Sequence, residues 1–222
     1  MSHLPTEQSF LKDVVNHQMI ILRDDGLYRH IRFKRPDSGC MHFDLVTWPG
    51  YLSYCGDMGC YVFSRIDDMF GFFRTSKNDW NYNRSGGLSI NTGYWSEKLR
   101  AVDGNRQNGS ATEFSNEKFE RVINETRAGW MRECKGCGVS KNDRRELWDS
   151  VNHEVLWRLD DGHHVAMSAA HDFNHRIGRH HFNFEGLWEH DFTEYTYHFV
   201  WCCYALAWGV RTYDDSKERI AA

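Results

Sequence analysis

The stretch MHFDLVTWPGYLSYCGDMGCYVFSR, residues 41–65, reads as three short strands cut by turns. Met41 to Trp48 is closed by Pro49-Gly50, and Tyr51–Tyr54 and Tyr61–Arg65 are separated by Cys55-Gly-Asp-Met-Gly59. Working outward toward the N-terminus, Pro36-Asp37-Ser38-Gly39 is another turn. Before it, Leu27 to Arg35 alternates, with Leu27, Ile31 and Phe33 on one face and His30, Arg32 and Lys34 on the other. Met19-Ile-Ile-Leu22 is a short apolar run ending in Asp24-Asp25-Gly26, a hairpin signal because Asp-Gly accommodates positive φ. Five short strands joined by tight turns make an antiparallel meander over 17–65, since parallel neighbours need long crossovers.

The pattern changes at Ile66. Asp67-Asp68-Met69-Phe70, with Phe72 and Phe73, predicts a short helix carrying its acids at the favourable N-terminal end. Ser76–Ile90 and Asp103–Thr112 read as polar loops, with a short helix over Gly93–Val102 between them. Ser115 caps a helix with apolar positions Phe119, Val122, Ile123 and Trp130. Ser140 and Asp143 form a capping box for a helix carrying Leu147, Trp148, Val151, Val155 and Leu159, stopped by Asp160-Asp161-Gly162. The last helix carries Tyr195, Phe199, Cys202, Cys203, Leu206, Val210 and Tyr213 on one stripe. Val200, Tyr204 and Ala207 lie opposite, so it is apolar nearly all round and belongs at a domain centre. The expected class is α+β: a five-stranded antiparallel meander packed against C-terminal helices, in one domain over 1–222, with 66–222 mainly helical.

Composition narrows the function classes. The 222 residues are 41% apolar and include nine Trp, enough for a large core and too apolar for a disordered chain. A formal charge of −4 argues against binding nucleic acid through a basic surface. The opening Met1-Ser2-His3-Leu4-Pro5 has neither basic head nor apolar run, so a cytosolic chain with seven reduced cysteines is expected. Tyr195–Val210 is about 16 residues long and interrupted by Thr196 and His198, short of the roughly 20 needed to span a bilayer.

Three features carry candidate chemistry. Nine of thirteen histidines lie between His153 and His198. In His171-Asp172-Phe173-Asn174-His175 the imidazoles stand at i and i+4, which on one helix face suits zinc, with His180, His181 or His190 as a third ligand. The order His153, His171-Asp172, Asp191 loosely matches the H…HD…D pattern of metal-dependent phosphohydrolases. Asp in place of the usual Glu, and Ile177-Gly178 ending a helix just beyond His175, weaken the first reading. Without metal, these are ordinary surface or partly buried histidines. Cys134-Lys-Gly-Cys137 has the spacing of a zinc knuckle but no second such pair; His153, His163 or Cys60 would have to complete it. A turn between helices explains the same residues. Tyr28, His30, Arg32 and Lys34, with Arg29 and Arg35 at the rim, form a basic aromatic strand able to track a phosphate backbone. A half-exposed strand with a polar outer face explains it equally. Phosphate-loop, dinucleotide, nucleophile-elbow and HExxH signatures are absent from the sequence.

Four blocks resemble a family of accessory proteins of tailed bacteriophages and prophages. They are Gly26-LYRHIRFKRP-Asp37, His42-FDLVTWPGYLSYCGDMGCYVFSRIDDMFGFFR-Thr75, Ile90-NTGYWSEKLRAVD-Gly104 and Tyr195-TYHFVWCCYALAWGVRTYD-Asp215. The resemblance implies a protein made in the bacterial cytosol, and brings with it neither an activity nor catalytic residues. The expected function is stoichiometric binding and inhibition of a host protein or complex, defence systems included, with no cofactor. The aromatic loop residues Trp80, Tyr82, Tyr94 and Trp95 are the expected contacts, since Trp and Tyr dominate interface hot spots. The alternatives are a zinc-dependent hydrolase on 153–191 and a nucleic-acid module on 28–35.

Overall fold

The computed structural model describes residues 4–74, 87–104 and 109–221. The chain divides into two compact units, Met1–Glu113 with Tyr195–Ala222, and Phe114–Glu194.

The first unit is built on an antiparallel sheet in the order β1 (Gln18–Asp25), β2 (Tyr28–Lys34), β3 (Phe43–Trp48), β4 (Tyr51–Gly56), β5 (Gly59–Ser64) and β6 (Leu99–Val102). The expected meander is present and gains a sixth strand. Tight turns impose it: Pro49 presets φ, and Gly50 supplies the φ of +82° that the turn between β3 and β4 requires. Alternation then places Ile31, Phe33, Phe43, Leu45, Leu52, Tyr54, Tyr61 and Phe63 on one buried face. Among the described residues, the short helices α1 (Glu7–Val14), α2 (Met69–Phe73) and α3 (Thr92–Ser96) precede the second unit. The helix expected over Gly93–Val102 is therefore a helical turn followed by β6. Leu99–Val102 satisfies its backbone on the open side of β5, a long-range pairing that four residues cannot announce.

One helix covers the buried face. The C-terminal helix, Tyr197–Ala221, has Phe199, Trp201, Cys202, Cys203, Leu206 and Val210 buried, as its all-round apolar pattern requires. Phe43 lies at the centre, stacked 4.8 Å from Phe33 and edge-on 5.7 Å from Trp201. Such ring pairs contribute about 0.5–1.5 kcal/mol each beyond their buried area. Polar pins fix both ends of the helix. Thr196 Oγ1 accepts from Phe199 N and donates to the Ser110 carbonyl. Near the C-terminus, Tyr213 donates to Asp24 at 2.9 Å and Arg74 grips Asp214 at 2.6 and 2.9 Å. Arg29 is not at the rim but on the core side. It holds Asp68, the N-cap of α2, through two bonds and lies 4.8 Å from the Phe70 ring centre.

The second unit contains α4 (Asn116–Glu133), α5 (Lys141–Glu154), a 3-10 turn at Leu156–Asp161, and α6 (His163–Asp172). The hairpin of β8 (Asn174–Ile177) and β9 (His180–Asn183) follows. Short strands β7 (Thr112–Phe114) and β10 (Thr193–Tyr195) span the positions where the chain leaves one unit for the other. Ser115 caps α4, and Ser140 with Asp143 forms the capping box of α5, as expected. Phe119, Ile123, Leu147, Val151, Phe173, Ile177 and Phe182 supply the core of this unit. Arg127 is buried beside it, donating to the Trp148 carbonyl and Asn152 while its guanidinium lies 3.4 Å from the Trp148 ring centre. No helix among the described residues is long and apolar enough to cross a membrane.

The C-terminal helix meets the sheet closely at Gly209, where a Cβ would stand 2.8 Å from Leu45 Cδ1 and 3.2 Å from Phe33. Gly209→Val is expected to overpack this contact and cost about 1–3 kcal/mol, read as a lower urea midpoint with an unchanged m-value.

Candidate functional site

The middle of the basic strand is paired by its neighbour. β2 pairs with β3 so that Arg32 stands opposite Asp44. Asp44 accepts from Arg32 Nε and a terminal guanidinium nitrogen, both at 2.8 Å, and lies 2.9 Å from His30 Nε2. Burial pushes the Asp44 carboxyl up, but the bonds from Arg32 and His30 outweigh this and hold it below its ordinary value. Tyr28 is exposed beside Arg23, and Lys34 stands opposite Gln18 at the other end of the strand.

The histidine tract is a mixture of helix and strand. Helix α6 stops at Asp172, so His171 closes a helix while His175 lies on β8, and the two do not share a helical face. The buried Phe173 ring, packed with Phe182 and Phe184, turns the chain out of the helix at that point. His171 Nδ1 lies 3.1 Å from Asp172 on an exposed surface. His153 sits edge-on to Trp157, His180 reaches the Cys137 carbonyl, and Asp191 accepts from Thr193. Cys134 is buried at the end of α4, its backbone N–H bonded to the Trp130 carbonyl. Cys137 is exposed, and Gly136 and Gly138 turn the chain with positive φ. Among the described residues no group of three or more His, Cys, Asp or Glu side chains is placed to hold a metal ion.

Of the aromatic loop residues, Trp80 and Tyr82 lie outside the described residues. Tyr94 is exposed between Phe72 and Lys98, whereas Trp95 is a core residue set edge-on to Phe73 at 4.9 Å. The two adjacent rings therefore have opposite roles.

A different surface emerges from β1. It hydrogen-bonds to β2 on one side only, and among the described residues no strand pairs with its other side. An edge of this kind presents unpaired N–H and C=O groups to any extended chain. Its apolar residues are unusually open: Ile20 and Ile21 are each 39% exposed and Leu22 51%, with Val15 and Tyr28 exposed nearby. Ile21 faces Ile31 and Arg23 faces His30, leaving Leu22 as the extra residue of a bulge. Charged residues close the far end, where Asp24 is held by Tyr213 and Lys217. The opposite edge, β6, is only four residues long. The sequence signal for the β1 edge was present in Met19–Leu22, which fails to alternate: a run of four apolar residues indicates either burial on both faces or an apolar edge.

The Asp44 cluster makes a pH prediction. A carboxyl depressed in the fold contributes stability that is complete above its unfolded value, near 3.8, and is lost as pH falls through the lower folded value. Thermal melts are expected to show stability dropping from about pH 5 downward, and Asp44→Asn is expected to flatten that drop. An unchanged acid limb in the variant would show that the cluster carries none of it.

The chain matches no protein-family model, no curated protein and no solved structure.

Proposed function

We propose that this chain is a stoichiometric protein binder: a bacteriophage accessory protein that captures and inhibits a protein of its bacterial host in the cytosol. The observation that carries the reading is the β1 edge, which among the described residues has no strand on its outer side and runs beside exposed Ile20, Ile21 and Leu22. Strand addition at such an edge takes affinity from main-chain hydrogen bonds and specificity from alternate side chains. The occupant is an extended segment of the host protein with apolar residues against Ile20–Leu22 and a basic residue near Asp25. The resemblance of four sequence blocks to phage accessory proteins supports a host protein as the partner, and Tyr94 is a further exposed ring of the same unit.

The other two readings have less geometric support. Two of the cations of β2 that a phosphate backbone would need, His30 and Arg32, are held by Asp44 and a third, Arg29, by Asp68, and the histidines of 153–191 each have nearby local partners. Neither arrangement offers a catalytic constellation, whereas an inhibitor needs only a surface.

The test is capture from bacterial lysate, identification of the bound protein, and titration of the purified pair. A 1:1 complex is expected, weakened at least about tenfold by the paired change Ile21→Lys and Leu22→Lys, since truncating hot spots costs more than about 1.4 kcal/mol. Both positions are exposed, so circular dichroism should stay unchanged. Full affinity in the variant would sink the edge reading. Self-association abolished by the same change would make the partner a second copy of the chain instead.

A further inference from the structure

Cys55 and Cys60 face each other across the β4–β5 hairpin, and both are half-buried free thiols. The hairpin register runs without a shift from Tyr51↔Ser64 to Gly56↔Gly59. Gly56 and Gly59 close a two-residue turn, Asp57-Met58, and a pair in that position exchanges both backbone hydrogen bonds. The next pair outward, Cys55 and Cys60, is then a non-hydrogen-bonded pair. The other side of β4 leads to the same assignment. Trp48 and Tyr51 close the preceding two-residue turn, so counting along the ladder makes Asp44↔Cys55 a hydrogen-bonded pair. The N–H and C=O of a strand residue point to one side, which leaves Cys55 unbonded toward Cys60. At such sites the Cα atoms are about 4.5 Å apart and the side chains are at their closest. A disulfide accepts Cα separations from about 4.4 to 6.8 Å.

The thiols also share a face. Tyr54 and Tyr61 are buried in the core, so the adjacent Cys55 and Cys60 both point to the outer side of the sheet, where Ser53 Oγ lies 3.3 Å from Cys55 Sγ. This pair differs from the other cysteines. Cys202 and Cys203 are fully buried in the C-terminal helix, and Cys134 is buried at the end of α4.

We propose that Cys55 and Cys60 are a redox modification site: a dithiol that small-molecule disulfides such as glutathione disulfide convert reversibly into a cross-strand disulfide. The Cys55 thiolate attacks one sulfur of glutathione disulfide, forms a mixed disulfide and expels one glutathione thiolate. The Cys60 thiolate then attacks the Cys55 sulfur and expels the second. The protein loses two electrons and two protons, and glutathione disulfide leaves as two thiols. Burial pushes the Cys60 thiol up to about 11, and attack by either thiolate first leads to the same disulfide. A dithiol reductant reverses both steps. This inference is independent of the β1 edge.

The experiment incubates the full native chain with excess glutathione disulfide, blocks remaining thiols with iodoacetamide and maps the tryptic peptide that contains Cys40, Cys55 and Cys60. The expected product has Cys55 and Cys60 joined and lighter by two hydrogens, Cys40 alkylated, and full alkylation restored by dithiothreitol. Cys60→Ser should instead accumulate one glutathione adduct on Cys55, and Cys40→Ser should leave the disulfide in place. Native protein in which Cys55 and Cys60 both remain alkylated, or carry separate glutathione adducts, would overturn the proposal.

Discussion

The inner face of the meander is a wall of rings and branched side chains, Phe33, Phe43, Leu45, Tyr54, Tyr61 and Phe63 among them, that is unstable in water until something covers it. The cover comes from the far end of the chain. The C-terminal helix is apolar on nearly every side because it meets the sheet on one flank while Phe10 of α1 packs on Trp201 at 4.9 Å. At full burial, each large side chain contributes about 1.5–3 kcal/mol. The other features of this unit follow from that seating. Gly209 removes a side chain where a Cβ would meet Leu45 and Phe33, Trp201 donates to Asp13, and the last turns are fastened by Tyr213 to Asp24 and by Asp214 to Arg74.

Much of this was legible in the sequence. Strands β2 to β5 announce themselves because Pro-Gly and Gly-rich turns bound short alternating runs, and the final helix because its apolar residues surround it. What was hidden depends on residues distant in the chain. Leu99–Val102 becomes a strand because β5 has an open side, a fact its own four residues do not contain. His171 and His175 have the spacing of a metal pair only while the helix continues, and Phe173 ends it by entering the core of the second unit. Arg32 looks like a free cation until the register of β3 sets Asp44 against it. The adjacent rings Tyr94 and Trp95 differ in exposure because one helical turn sends neighbours to different sides.

The two edges of the sheet are handled differently. β6 is short, which limits what it can recruit. β1 is long, carries its apolar residues outward and is protected by a bulge at Leu22 and by the charges of Arg23, Asp24 and Asp25. The exposed apolar part is thereby limited to about one turn-free run between Met19 and Leu22. That is small enough to keep the free chain from indiscriminate pairing and large enough to anchor a matching segment. The outer face behind it is ordered by side chains in register, Arg32, Asp44, Cys55 and Cys60 standing on successive strands.

The first unit is discontinuous: Phe114–Glu194 is inserted between its sheet and its covering helix. On the ribosome the strands emerge first, and their apolar face must wait for the whole insertion to be synthesised before Tyr197–Ala221 arrives. The inserted unit is contiguous and can close its own core during that interval. Contacts such as Phe10 with Trp201 span most of the chain, and pairings of that separation form late because the loop-closure entropy comes first. Between synthesis of β5 and arrival of the covering helix the inner face of the sheet lacks its cover, and transiently exposed apolar surface of this kind favours aggregation.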